Sequence, residues 1–269
     1  MVYVVSFIGI LYVSLLALMY VFQRKLMYLP ERQLHAPQYY GLSGFEEISF
    51  TTSDGIALQS WYRRAQPSFP TIVYFHGNAG NIGDRASIYA ALADKGFGVF
   101  ALSYRGYGKS QGYPSEEGLY ADARTAIHHL TLSQQLSIQN ILLFGESLGT
   151  GVATQMATEF DVALLILQAP YRSVSGRAGE IYYFLPVKLL IKDKFKSIKK
   201  ISGVKAPLLL FHGECDDVIP VYHGKTLFEA ATCSPKRAFF MPNIAHNDFD
   251  SNVISAHVLD FAKELSLTP

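Results

Sequence analysis

ILLFGESLGTGVATQM, residues Ile141 to Met156, carries Gly145-Glu146-Ser147-Leu148-Gly149 at its centre. The letters G-x-S-x-G decide little alone: with Gly and Ser each near ~7% of residues, chance supplies them in roughly one chain in ten of this length. Their setting decides more. Ile141 to Phe144 is a short apolar run that suits a buried strand, and Leu148 to Ala157 is a small-residue stretch that suits a helix packed close to it. Strand, tight turn and helix are the context of a nucleophile elbow. The flanking glycines permit a strained turn and a close helix-to-strand approach. Such a turn lifts the Ser147 hydroxyl out of the sheet, onto the helix N-terminus.

A lone serine is no nucleophile at neutral pH; it requires a base and an acid that orients the base. The chain supplies both in the order serine, acid, histidine. Pro207 to Phe211 reads as a second buried strand. It runs into His212-Gly-Glu214-Cys215-Asp216-Asp217-Val-Ile-Pro220, a loop in which Asp216, Asp217 and Glu214 are all candidate acids. Lys236 to Met241 reads as a third strand, followed by Pro242-Asn-Ile-Ala-His246-Asn-Asp248, a loop with one histidine. Ser147, an acid and His246 would then meet at the carboxyl edge of one sheet, where open α/β sheets bind ligands.

With these motifs placed, the chain resembles the α/β-hydrolases of the membrane-anchored Bem46-like group, which includes the alpha/beta hydrolase domain-containing types 13 and 17. The stretches that carry the resemblance are FQRKLMYLP (Phe22 to Pro30), YFHGNAGN (Tyr74 to Asn81), YRGYGKSQGYPSE (Tyr104 to Glu116), GESLGTG (Gly145 to Gly151), HGECDDVIP (His212 to Pro220) and AHNDF (Ala245 to Phe249). They span nearly the whole chain in family order. The resemblance implies that the acid is the fifth residue of H-G-x-x-D-x-x-[VI]-P, which is Asp216. Relatives often carry an aspartate where Ser103 stands, a departure that leaves the triad untouched.

The chain has 269 residues, 49% of them hydrophobic, and a formal net charge of +1. That balance gives no reason to expect a nucleic-acid partner. Val2 to Phe22 has no charged residue and at 1.5 Å per residue spans ~31 Å, enough for a hydrocarbon core of ~30 Å. Tyr3 and Tyr20 lie near its ends, where aromatic belts sit. A cleaved signal peptide would want a basic n-region and a small-residue cleavage site, and the segment offers neither. The expectation is an uncleaved single-pass anchor over residues 1–29, followed by one catalytic domain over 30–269. Arg24, Lys25 and Arg32 follow the segment, so the positive-inside rule places that domain in the cytoplasm. Cys215 and Cys233 make neither a zinc pattern nor a disulfide framework, and Cys215 reads as a small buried residue.

Along the chain, Glu46 to Thr51 and Ile56 to Arg64 read as an antiparallel hairpin about Ser53-Asp54-Gly55. Thr71 to Phe75, Gly98 to Leu102 and Ala163 to Gln168 read as strands. Ile82 to Lys95, Ser115 to Leu132 (capped by Ser115) and Asn252 to Leu265 read as helices. The alternation predicts an α/β fold, a mostly parallel twisted sheet with helices on both faces. Residues 171–204 interrupt it. In α/β-hydrolases an insert here forms a lid, and Tyr182-Tyr-Phe-Leu-Pro186 and Leu189-Leu-Ile191 imply an apolar acyl pocket beneath it. Lys188, Lys192, Lys194, Lys196, Lys199, Lys200 and Lys205 crowd the end of this insert and read either as a solvated helix face or as a surface for anionic headgroups.

Acyl transfer needs donors aimed at an oxyanion. One is the N–H of Leu148, at the helix N-terminus; for the other, the resemblance implies the N–H of Asn78, in the loop after Thr71 to Phe75. His76 in that loop reads as support, and His128 and His129 lie in a helix far from any strand end. Ser103 to Ser110 is not a phosphate loop: Ser103 stands where its first glycine belongs, and Gly112 and Pro114 prevent the helix that must follow. Arg105 and Tyr107 read equally as site residues or loop supports.

Together these readings describe a membrane-anchored serine hydrolase that cleaves carboxylic esters or thioesters of small-molecule or lipid-like acyl substrates. No metal or organic cofactor is implied. A serine peptidase on the same fold is one alternative, and a non-catalytic membrane scaffold is another.

Overall fold

A computed structural model describes residues 2–269. Helix α1 (Val2–Met27) leads the chain with most of its described apolar side chains exposed, and Tyr3–Met27 is long and apolar enough to cross a membrane. Strands β2 (Glu46–Thr51) and β3 (Ala57–Arg63) form the expected hairpin, following a two-residue β1 (Leu29–Pro30). Then come β4 (Thr71–Phe75), β5 (Ala79–Gly80), α2 (Ala86–Asp94), β6 (Gly98–Leu102), α3 (Glu116–His128), β7 (Ile141–Glu146), α4 (Leu148–Glu159) and β8 (Leu164–Gln168). After the short helices α5 (Val174–Ile181) and α6 (Val187–Leu190), the chain ends with β9 (Leu208–Gly213), α7 (Tyr222–Ala230), β10 (Lys236–Met241) and α8 (Ser251–Glu264).

The main sheet has eight strands in the order β10-β9-β8-β7-β4-β6-β3-β2. Pairings from β10 to β6 are parallel, and β2 and β3 close one edge antiparallel. Strand alternation splits the core in two. Ile72 and Tyr74 of β4, with Leu142 and Phe144 of β7, face the layer of α2 and α8. Val73 and Phe75, with Ile141 and Leu143, face the layer of α3 and α4. All are essentially inaccessible to water, and each contributes about 1.5–3 kcal/mol by its burial. Both layers being covered explains why the central strands read as unbroken apolar runs.

Caps fix the helix starts. Ser115 Oγ accepts from Gly118 N–H at 3.1 Å, and Asp250 Oδ1 accepts from Asn252 N–H at 2.7 Å, each worth about 1 kcal/mol. Ile82 to Arg85 is a 3-10 turn capped by Asn81, so the α-helix begins four residues later than its apolar pattern implies. Residues 171–204 divide in two. Helices α5 and α6 stand out from the sheet, whereas Phe195, Ile201 and Val204 are buried in the main core. Cys215, expected buried, is exposed.

Candidate active site

Ser147 is the residue between β7 and α4, and the turn is tight. Its φ is 49° and its ψ −116°, a region that non-glycine residues avoid. The strain is held from both sides. Ser147 N–H donates to the Gln168 carbonyl at 2.9 Å, and Thr150 N–H donates to the Ser147 carbonyl at 3.0 Å. The neighbouring glycines are steric necessities: a Cβ on Gly149 would strike the Phe75 carbonyl, and one on Gly145 would sit 2.6 Å from the Gly149 oxygen.

The loop after β10 carries His246 to this turn. Its Nε2 lies 3.0 Å from Ser147 Oγ, and its Nδ1 lies 2.7 Å from Asp216 Oδ2. The carboxylate assigns the proton to Nδ1, leaving Nε2 to accept from the serine hydroxyl. Asp216 is buried in the loop after β9, and its Oδ1 accepts from the N–H groups of Val218 and Ile219 at 3.0 and 2.7 Å. Burial alone would raise its pKa; hydrogen bonds from His212, His246 and Ile219 outweigh that and hold the carboxyl well below the usual range. Of the three acids in this loop, Asp216 alone meets His246. Asp217 is exposed, with its carbonyl accepting from Arg177, and Glu214 faces Lys225 at 3.7 Å.

Leu148 opens α4, where first-turn N–H groups have no intrahelical acceptor. Asn78, in the loop after β4, lines the same cavity as Ser147 and Leu148. Its N–H donates to no acceptor among the described residues, while its carbonyl accepts from Tyr107 Oη at 2.7 Å and from Leu29 N–H at 3.1 Å. Tyr107 is thus a support of this loop. Arg105 is structural, forking onto Asp54 (2.7 Å) and Asp122 (2.8 Å). His76 is wholly buried and donates from Nδ1 to the Gly77 carbonyl at 2.7 Å; burial, helped by Arg85, pushes its imidazole down to about 3. His128 and His129 pack on Phe160 and Phe50, away from Ser147.

A cavity of about 290 Å³ opens on Ser147 between α1, α5 and α6, and its walls are mostly apolar. A second, polar cavity adjoins His246 on the other side, lined by Arg85, Glu146 and Asn247. Here lies a network that no motif announced. Arg85 donates to both oxygens of Glu146 (3.0 and 3.2 Å), and Tyr74 Oη donates to Oε2 at 2.9 Å. Glu146 occupies a variable position of the motif, so only its neighbours in space reveal that it braces the turn. Among the described residues no group of His, Cys, Asp and Glu converges as a metal cage would.

Residues 70–170 match a family described as having the alpha/beta hydrolase fold. The chain is 34% identical over 224 residues to alpha/beta hydrolase domain-containing protein WAV2 of Arabidopsis thaliana, covering 76% of this chain and 73% of that protein. It is 33% identical over 211 residues to alpha/beta hydrolase domain-containing protein 17C of Xenopus tropicalis, covering 78% and 66%. Over 204 residues it is 37% identical to an uncharacterized protein of Mycobacterium tuberculosis, covering 75% and 72%. An esterase of Pyrococcus furiosus superposes with a TM-score of 0.72 at 19% identity, covering 89% of this chain and 98% of that one, a likeness of fold.

Proposed function

The chain belongs to the α/β-hydrolase family, in its Bem46-like group, and from that premise we propose that it is a membrane-anchored serine hydrolase of acyl esters or thioesters. The observation that carries the reading is the unbroken line from Asp216 through His246 to Ser147 Oγ, ending in an apolar cavity.

In this reading His246 Nε2 takes the Ser147 proton as Oγ attacks the acyl carbonyl. Asp216, which cannot readily be protonated, keeps the proton on Nδ1 and stabilises the imidazolium that forms. The oxyanion develops between the N–H groups of Leu148 and Asn78, a preorganised pair that gains most when charge appears. His246 then protonates the departing alcohol or thiol. The polar cavity beside His246 suits that leaving group and the water that follows it, and the apolar cavity suits the acyl chain. Water attacks the acyl-enzyme with His246 again as base, releasing the acid and restoring Ser147. Helix α1 serves as the anchor, with the catalytic domain on the cytoplasmic side.

The test is a fluorophosphonate probe on the full chain in detergent micelles. It should label Ser147 and abolish turnover of p-nitrophenyl esters and acyl-thioesters together. Turnover that survives complete labelling would disprove the reading.

A further inference from the structure

Helix α1 does more than lead the chain to the sheet. Met19, Gln23 and Met27, spaced one turn apart, line the cavity that ends at Ser147. With Leu16 they are the half-buried stripe of the helix, while Val21 on the opposite side is 65% exposed. Ile181, Leu185 and Leu190 of the lid form the facing wall.

The seam between helix and lid is fastened along its length. At the base, Arg24 Nε and Nη2 donate to the two oxygens of the buried Asp193 at 2.8 and 3.0 Å. Gln23 Nε2 donates to the Leu190 carbonyl at 3.1 Å, and its Oε1 accepts from Lys192 N–H at 2.7 Å. Toward the lid tip, Tyr12 Oη donates to the Phe184 carbonyl at 3.0 Å. Tyr12 lies twelve residues before Arg24, about 18 Å along the helix axis. With Arg24 and Lys25 at the headgroups, that distance sets the lid tip beside the acyl chains. The tip is dressed for it: Tyr183 and Leu189 are each 84% exposed, with Phe184 and Ile181 half exposed beside them.

We propose that the N-terminal helix is a wall of the catalytic cavity, and that the acyl chain of a membrane-resident ester or thioester reaches Ser147 along the seam between this helix and the lid. The inference rests on the acyl-hydrolase reading above. A chain that slides from hydrocarbon into an apolar cavity crosses no water, so its apolar surface never needs rehydration. The same wall makes chain length a property read by α1, because a longer chain extends farther along Met27, Gln23 and Met19.

The test uses the full chain in phosphatidylcholine vesicles, assayed with p-nitrophenyl butyrate and p-nitrophenyl palmitate. Met19→Trp and Leu190→Trp narrow the seam from its two sides, and Val21→Trp on the far side of the helix is the control. The narrowing variants should lose about tenfold or more in kcat/KM on the palmitate ester and keep butyrate turnover, as pocket contacts of this size discriminate; Val21→Trp should match wild type on both. A wild-type chain-length profile in the narrowing variants would overturn the proposal.

A second measurement does not depend on the variants. A long-chain alkyl fluorophosphonate with a diazirine at its far end is delivered in the vesicles. Ser147 Oγ bonds phosphorus, fluoride leaves and the serine proton passes to His246; ultraviolet light then cross-links the chain to its neighbours. Cross-links should map to residues 12–27 and 181–191. Cross-links confined to other segments would overturn the proposal. Butyrate turnover that persists in Ser147→Ala would instead overturn the acyl-hydrolase reading itself.

Discussion

The strained backbone of Ser147 is held by hydrogen bonds of the peptide, so its side chain can be removed without disturbing the turn. Ser147→Ala should therefore fold and lose nearly all esterase turnover, on the order of 10⁶-fold by comparison with other triads. Asp216→Asn should cost on the order of 10⁴-fold by favouring the wrong tautomer of His246, and Asp217→Asn should stay near wild type. Steady-state kinetics on p-nitrophenyl butyrate compare all three, and a dead Asp217 variant beside an active Asp216 variant would reverse the assignment. His76 gives a stability prediction. Its folded pKa is depressed to about 3, below the ~6.5 of an unfolded histidine. Between those values the unfolded chain holds a proton that the folded chain lacks, so stability falls as pH drops, by about 1.4 kcal/mol per pH unit. Urea unfolding in micelles should show a shallower slope for His76→Gln over that interval, and an identical slope would contradict the account. The candidate nucleophile and base were legible as residues because each stands alone in its loop. The acid was not, since Asp216 and Asp217 are adjacent and spacing cannot say which faces inward; the family pattern chose Asp216, and it is this carboxylate that receives the Val218 and Ile219 N–H groups.

Elements whose apolar pattern has one cause were read within a residue or two, as with β4, β6 and β10. Helix α7 escaped notice because its buried face is made of His223, Gly224 and Leu227, two of which carry no apolar signal. His223 is buried against Glu180 of α5 at 3.1 Å, a contact between segments distant in sequence. The pairing of β1 with β5 is equally hidden, since a two-residue strand containing Pro30 has no period to read. Packing between elements also sets which glycines can change. Gly149→Ala drives a methyl into the Phe75 carbonyl across the α4–β4 contact, and should lower stability by about 1–3 kcal/mol or more. Gly179 of α5 has nothing within 4 Å of a built Cβ, so Gly179→Ala should raise stability by about 0.5–1 kcal/mol. Parallel urea titrations measure both, and equal effects would deny the packing argument.

At the scale of the molecule, the insert read from sequence as one lid divides into two short helices beside the cavity and a stretch buried in the core, and its lysines are divided accordingly. Lys200 lies over the Tyr120 ring at 4.6 Å and near Glu116, and Lys192 lies over Tyr20 of α1 at 4.2 Å. Those two are engaged within the protein, and Lys188, Lys199 and Lys205 are exposed. Asp193, the one acid among these lysines, is buried beneath Arg24. Asp193→Ala should release the lid from α1, and trypsin should then cut between Arg177 and Lys192 faster than in wild type; an unchanged cleavage rate would count against the fastening.

The junction below α1 has no slack. Asn78 Nδ2 donates to the carbonyl of Met27, the last residue of the helix, and Leu29 N–H donates to the Asn78 carbonyl. The helix is therefore a lever whose short arm rests on the loop we propose as the oxyanion cradle. A helix in a bilayer thinner than its apolar length tilts, and this lever would carry the tilt to Asn78 without passing through any substrate. Turnover of p-nitrophenyl butyrate, which needs no chain from the membrane, should then change with the thickness of the host bilayer. If α1 is the anchor we propose, the hydrolase is also a gauge of its membrane.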